Sequence, residues 1–372
     1  MLFWNVKLPI FEHQSADVRA KDGKALVSVP AGKALSAGPL RIAGAIAKTL
    51  YANPQMSVGT QATLSGLALA QLQWLSTSTA ASELRLLAQH TTNEIGLRDF
   101  SRGSRIGEYG QGLCALFVQD ELGLPIVLDF GVLCDLLAVP RPKKTDPQPD
   151  FGGWLGPRYA LVESKASLEA GSIKTELREG LEQCDAGVDH LDAYTKFLPV
   201  NIYSVLTAFQ TDMAASGSAI HFADPTRDVP SIPDKLHDLV AKHYYRSALT
   251  ALGARQRTLD DMLANRPFRA FTRRSLPASS FEGVPSRQPP AFLLGSGVPL
   301  SDFGTARVYV DRQIMDALRS GVAARYEAAV KQWRAALDES DLQPDGHVVA
   351  WGDGIVLELQ AGRGERLPEF LR

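Results

Sequence analysis

Between Ser101 and about Phe209 the chain reads as short, strongly apolar segments punctuated by Gly and Pro, the texture of helices alternating with buried strands. The residues from Ile106 to Leu122 carry helical spacing, with Leu113, Leu116 and Phe117 on a common face and Gly123 placed to close the helix. Pro125 to Phe130 reads as a short strand, and Leu133 to Val139 fits either a strand or a helix. Pro140-Arg141-Pro142-Lys143-Lys144, followed by Pro147 and Pro149, makes a stiff basic loop. Tyr159 to Lys165 has the Tyr, Leu and Val content of a central strand. Ser172 is placed to cap a charged amphipathic helix reaching Leu191, and Val200 to Phe209 is β-rich again. A compact α/β core over residues 101–225 is the expectation.

With 372 residues, 45% of them hydrophobic, the chain is longer than one typical domain and too apolar to be disordered. Residues 1–100 read as a partly helical region without evident chemistry, with helical runs from Arg41 to Tyr51 and from about Gly66 to His90. Residues 226–372 read as helical and locally basic. Nine Lys and Arg face three acids between Lys242 and Arg287, helical periodicity resumes from Asp311 to Leu337, and His347 to Leu359 forms a hairpin around Gly352-Asp353-Gly354.

Composition excludes several classes. The formal charge of −2 does not advertise a polyanion partner, so any such site is local. Cys114, Cys134 and Cys184 are odd in number and widely spaced, which argues against a disulfide framework or a zinc ribbon and for a reducing, cytoplasmic compartment. Met1 to Lys7 lacks the marks of a signal peptide, and Leu113 to Val139 is too often interrupted by acids for a membrane span. There is no phosphate-binding P-loop at Gly32-Lys33, no GxSxG, no HExxH and no GxGxxG after a strand.

The chemistry concentrates at Pro149-Asp150 and, after twelve intervening residues, Glu163-Ser164-Lys165 at the end of the apolar strand Tyr159-Ala160-Leu161-Val162. Glu163 and Lys165 are two apart on a strand and face the same way, and Asp150 can reach that face from the preceding segment. Two carboxylates and an ammonium then share a pocket. Hard oxygen ligands suit Mg²⁺ or Mn²⁺, which polarises a phosphodiester and acidifies a bound water.

Asp150, Glu163 and Lys165, in this order and context, resemble the signature of the PD-(D/E)XK nuclease superfamily, the restriction-endonuclease-like fold. The resemblance covers roughly residues 101–210. It implies a mixed central sheet flanked by helices, with the motif on a β-hairpin, and a Mg²⁺- or Mn²⁺-dependent endonuclease in which Asp150, Glu163 and the Ser164 carbonyl hold the metal and Lys165 aligns the attacking water. By the same resemblance Glu108, on the preceding helix, is a further acid, and Gln183, on the following helix, supports the site from behind. Members of the family serve restriction, repair or antiviral defence. The implied partner is nucleic acid, DNA rather than RNA, with a homodimer or a partner subunit plausible on general grounds. A catalytically inactive nuclease-fold subunit that binds nucleic acid or scaffolds a complex is the competing expectation.

Arg141, Lys143 and Lys144 stand shortly before Asp150, and Arg269, Arg273 and Arg274 interleave with Phe268 and Phe271, which suits phosphate contacts plus stacking. Arg102 and Arg105 are weaker candidates for the same role.

Overall fold

A computed structural model describes residues 6–49, 75–78, 83–86, 99–168, 173–211, 213–225, 233–252, 260–261, 263–264, 298–299, 305–339 and 348–360. Its centre is a seven-stranded mixed sheet. In chain order the elements are β1 (Val6–His13), α1 (Ser15–Arg19), β2 (Val29–Ala37), α2 (Pro39–Thr49), β3 (Leu75–Ser78), β4 (Glu83–Leu86), α3 (Asp99–Asp120), β5 (Ile126–Asp129), α4 (Phe130–Leu136), β6 (Phe151–Leu155), β7 (Arg158–Ser167), α5 (Ile173–Asp192), β8 (Asn201–Ala208), β9 (Ala219–Ala223) and α6 (Asp234–Ala251). They are followed by β10 (Val298–Pro299), β11 (Thr305–Val310), α7 (Arg312–Ser320), α8 (Ala323–Glu339), β12 (Val348–Ala350) and β13 (Ile355–Gln360). The large sheet runs β2-β1-β9-β8-β7-β6-β5, and a second sheet runs β10-β11-β13-β12.

Strands β5, β6 and β7 are joined antiparallel, β8 is parallel to β7, and β9 is antiparallel to β8. A parallel β7–β8 pair needs a crossover, and α5 supplies it. Leu177, Leu181, Cys184, Val188 and Leu191 of α5 are buried, while Leu113, Leu116 and Phe117 of α3 are buried as the helical spacing requires. The ambiguous segment after Phe130 resolves as the helix α4, whose N-cap Asp129 accepts from the Val132 N–H at 3.0 Å.

Two readings of the N-terminal region are corrected. Residues 6–13 and 29–37 are strands that extend the central sheet. Val6, Leu8 and Ile10 are buried while Lys7 and Pro9 are exposed, a period of two, and β1 lies parallel to β9 and antiparallel to β2. The run read as helix from Gly66 to His90 contains β3 and β4. Leu84 and Leu86 are buried between Glu83 and Arg85, and the Leu86 N–H donates to the Gln210 carbonyl at 2.8 Å, so a neighbouring segment settles the conformation. The expected helix at Arg41–Tyr51 is α2, and the expected terminal hairpin is β12–β13. The helical stretch after Asp311 is two helices, α7 and α8, broken at Gly321, which adopts the left-handed conformation (φ 65°). Among the described residues no helix is long and apolar enough to cross a membrane, and the three cysteines are free thiols, each buried.

Candidate active site at the open end of the β6–β7 hairpin

Strand β6 begins at Phe151, which faces Val162, and the next rung would pair Asp150 with Glu163. There the backbone ladder gives way to side chains. The Asp150 N–H donates to Glu163 Oε2 at 3.0 Å, and the Ser164 N–H donates to Asp150 Oδ2 at 3.2 Å. The Asp150 carbonyl turns away to accept from the Phe130 N–H at 3.0 Å. Two carboxylates thus take the place of carbonyls at the point where the strands part. On the other side β7 stays paired with β8 through Ser167, so the residues after Val162 have one edge paired and one open.

The side chains of β7 alternate between two helices. Glu163 and Lys165 face α5. Lys165 Nζ lies 3.1 Å from Glu163 Oε1 and donates to Gln183 Oε1, while Gln183 Nε2 reaches the Gln148 carbonyl at 3.4 Å. Gly180 lets α5 come this close, since a β-carbon there would collide with Ser204 Oγ and lie 3.3 Å from Glu163 Cγ. Gly180→Ala is accordingly expected to cost about 1–3 kcal/mol of overpacking; an unchanged urea midpoint would show that α5 can shift without strain. Ser164 and Ala166 face α3 on the opposite side. A β-carbon at Gly110 would sit 2.5 Å from that of Ala166.

Asp150 stands one residue before β6, at the edge where the hairpin opens. Its carboxylate accepts from the Ser164 N–H at 3.2 Å. The two acids thus meet at the sheet edge, each accepting a backbone N–H from the other's strand.

The electrostatics follow from burial. Glu163 is 3% exposed, and its carboxyl is pushed up to about 8, first by desolvation and then by the Asp150 charge, against the opposing pull of Lys165. Asp150 is also raised by desolvation, with the Ser164 N–H and Gln111 pulling the other way. A buried acid pair with one partly buried lysine is short of positive charge. Mg²⁺ is held by as few as one or two carboxylates, its remaining positions filled by water and substrate phosphate, so the donors Asp150 and Glu163 fit that minimum. Ser164 adds a backbone oxygen, because the N–H and C=O of one residue leave an extended strand on the same side.

The structure thus brings together Asp150, Glu163, Ser164, Lys165 and Gln183. Glu108 lies one helical turn before Gln111 on α3 and so on the same flank. Among the described residues no three or more His, Cys, Asp or Glu side chains gather as a metal-holding group, so Glu108 does not complete a three-acid cluster with Asp150 and Glu163. Arg141 is exposed and forms a bidentate pair with Asp135. Lys143 and Lys144 are exposed on the loop before Asp150, and the Arg105 charge lies close enough to Tyr109 to pull its pKa down against burial. In the basic C-terminal stretch Lys242 pairs with Asp238 at 2.7 Å and Arg246 with Asp260 at 3.0 Å. Arg269, Arg273 and Arg274 lie outside the described residues, as does the side chain of Arg102.

Comparison with known proteins finds no matching family model, no matching curated protein and no matching solved structure.

Proposed function

We propose that this chain is a Mg²⁺- or Mn²⁺-dependent nuclease that hydrolyses phosphodiester bonds of nucleic acid, DNA rather than RNA, on a restriction-endonuclease-like core. The observation that carries the reading is the unzipped rung at Asp150 and Glu163, where two buried carboxylates and the Lys165 ammonium meet at an open strand edge. The order of elements supports it. Helix α3, the β6–β7 hairpin, helix α5 and the parallel strand β8 follow one another as the resemblance calls for.

When bound, the metal supplies Lewis-acid polarisation of the phosphodiester and a lowered pKa for a coordinated water. Asp150, Glu163 and the Ser164 carbonyl would hold it. Lys165, kept in place by Glu163 and Gln183, orients the attacking water and offsets charge developing on the transferring phosphoryl group. Most of that effect comes from preorganisation, since the lysine's partners fix its head before substrate arrives.

Incubation with supercoiled plasmid, single-stranded DNA circles and structured RNA in Mg²⁺, Mn²⁺ or EDTA tests the reading. Cleavage is expected to need metal, to stop in EDTA and to fall about 10²- to 10³-fold in Lys165→Ala. Nucleic-acid binding without cleavage, identical in wild type and Lys165→Ala, would instead make the fold a binding or scaffolding subunit.

A further inference from the structure

The segment from Leu137 to Asp150, between α4 and β6, is fastened at several points. Arg141 forms its bidentate pair with Asp135 of α4. The Asp146 N–H donates to the Lys143 carbonyl at 2.9 Å and the Lys143 N–H to Asp146 Oδ2 at 3.2 Å, so the tip is a closed turn. Helix α5 supplies the other fastenings. His190 Nε2 lies 2.6 Å from the Pro140 carbonyl, which can only accept, so the imidazole donates. A β-carbon at Gly187 would sit 2.6 Å from Pro149 Cδ, and Gln183 Nε2 reaches the Gln148 carbonyl at 3.4 Å. Gln183, Gly187 and His190 are spaced four and three residues apart and share one stripe of the helix. The segment leaves that stripe at His190 and returns to it at Gln183, about 10 Å away at 1.5 Å per residue, where Gln183 also holds Lys165. Between the two points Lys143 and Lys144 are exposed, and among the described residues neither enters an ion pair.

We propose that this loop is a preorganised phosphate grip beside the site, that His190 is its positioning residue, and that the ligand is a nucleic-acid strand whose backbone runs from Lys165 past Lys143 and Lys144. The sequence marks Arg141, Lys143 and Lys144 alike, but the structure separates them. The Arg141 guanidinium is engaged by Asp135, which leaves the two ammonium groups for phosphate. A span of about 10 Å is about three nucleotides at a rise of about 3.4 Å along a strand, so the grip falls on phosphates that flank the scissile one. The prolines at 140, 142, 147 and 149 and the bonds to α5 have already removed most of the loop's freedom, and little remains to be lost on binding. Without the His190 bond the incoming strand has to order the loop itself. The inference deepens the nuclease reading and rests on it for the identity of the ligand.

The test uses the full chain as wild type, His190→Ala, His190→Gln and the double variant Lys143→Ala/Lys144→Ala, with labelled single- and double-stranded DNA oligonucleotides in EDTA, which withholds the metal. Loss of two phosphate contacts in the lysine variant is expected to flatten the dependence of log affinity on log salt by about 1.4 on single strands and about 1.8 on duplex. His190→Ala is expected to bind about two- to tenfold more weakly, the worth of one hydrogen bond, at an unchanged salt slope, because both lysines still reach phosphate once bound. Glutamine keeps an N–H donor, and His190→Gln should recover part of the affinity. A second readout needs neither metal nor nucleic acid: trypsin cleavage after Lys144 follows the population of the opened loop and should quicken by the same two- to tenfold in His190→Ala, about one hydrogen bond's worth. An unchanged slope in the lysine variant overturns the proposal, and leaves the nuclease reading standing where the wild type cleaves in Mg²⁺. Affinity and Lys144 cleavage in His190→Ala equal to wild type overturn the positioning role. The expected shifts in a protein that cuts nothing in Mg²⁺ or Mn²⁺ would support the grip and overturn the metal-dependent reading beneath it.

Discussion

Glu163→Gln is expected to stabilise the metal-free protein at alkaline pH and at the same time to abolish cleavage. Burial and the neighbouring Asp150 raise the Glu163 carboxyl from 4.5 to about 8. The folded chain therefore holds a proton that the unfolded chain releases, and the stability contributed by the protonated group is complete below about pH 4.5 and lost as the pH rises through about 8. Glutamine keeps the shape of the neutral acid and has no proton to lose. The two proteins should have similar stability near pH 5 and diverge above it, reaching on the order of 3–5 kcal/mol in favour of the variant at pH 9. Urea unfolding from pH 5 to 9 measures the gap, and parallel curves would show that the carboxyl ionises as freely in the folded chain as in the unfolded one. Adding Mn²⁺ at pH 8 should narrow the gap by stabilising the wild type alone, because a cation that binds only the folded carboxylate adds its binding free energy to the fold. On the metal-dependent reading proposed above, a residue that costs stability in isolation and serves the reaction is what a strained functional site predicts.

Asp353→Ala is expected to cost about 3–5 kcal/mol, and Lys48→Met distinctly less. The two side chains form an ion pair at 2.7 Å with 1% and 0% exposure, joining α2 to the turn between β12 and β13. Their supports are unequal. Asp353 Oδ2 also accepts from Tyr244 at 2.5 Å and from Gln119 at 3.2 Å, and its Oδ1 accepts from the Ile355 N–H at 3.0 Å. Lys48 has Gln119 Oε1 only at 3.5 Å, together with the Trp351 ring at 4.3 Å from Nζ to its centroid. Burial pulls the Lys48 pKa down, and the Asp353 charge is the main force opposing it. Removing the aspartate strands a buried ammonium, whereas removing the lysine leaves a carboxylate that keeps three donors. Urea midpoints of the two single variants check the order, and equal losses would mean that the hydrogen bonds to Asp353 contribute nothing beyond the ion pair. The double variant should lose less than the sum of the singles.

Legibility from sequence followed the range of the interactions involved. The α3 helix, strands β5, β7 and β8, helix α5 and the terminal hairpin could be read because their signals are local: a 3.6-residue apolar stripe, a β-branched and aromatic run, a Gly-Asp-Gly turn. Strands β1 and β4 carried equally local signals, Val6-Leu8-Ile10 and Leu84-Leu86, but over segments short enough to be taken for parts of a helical region. Their partners decide the matter, since β1 is a strand by virtue of β9, some 200 residues away. At the site, the amino-acid order singled out Asp150, Glu163 and Lys165, because acid, acid and lysine around an apolar strand are legible as chemistry, and the family resemblance added Gln183. That Asp150 stands outside the ladder with its N–H on Glu163, and that Glu163 sits deep enough to hold its proton near neutrality, were settled by packing. Burial and hydrogen-bond partnership are properties of neighbours in space, and the local sequence around each residue does not name those neighbours.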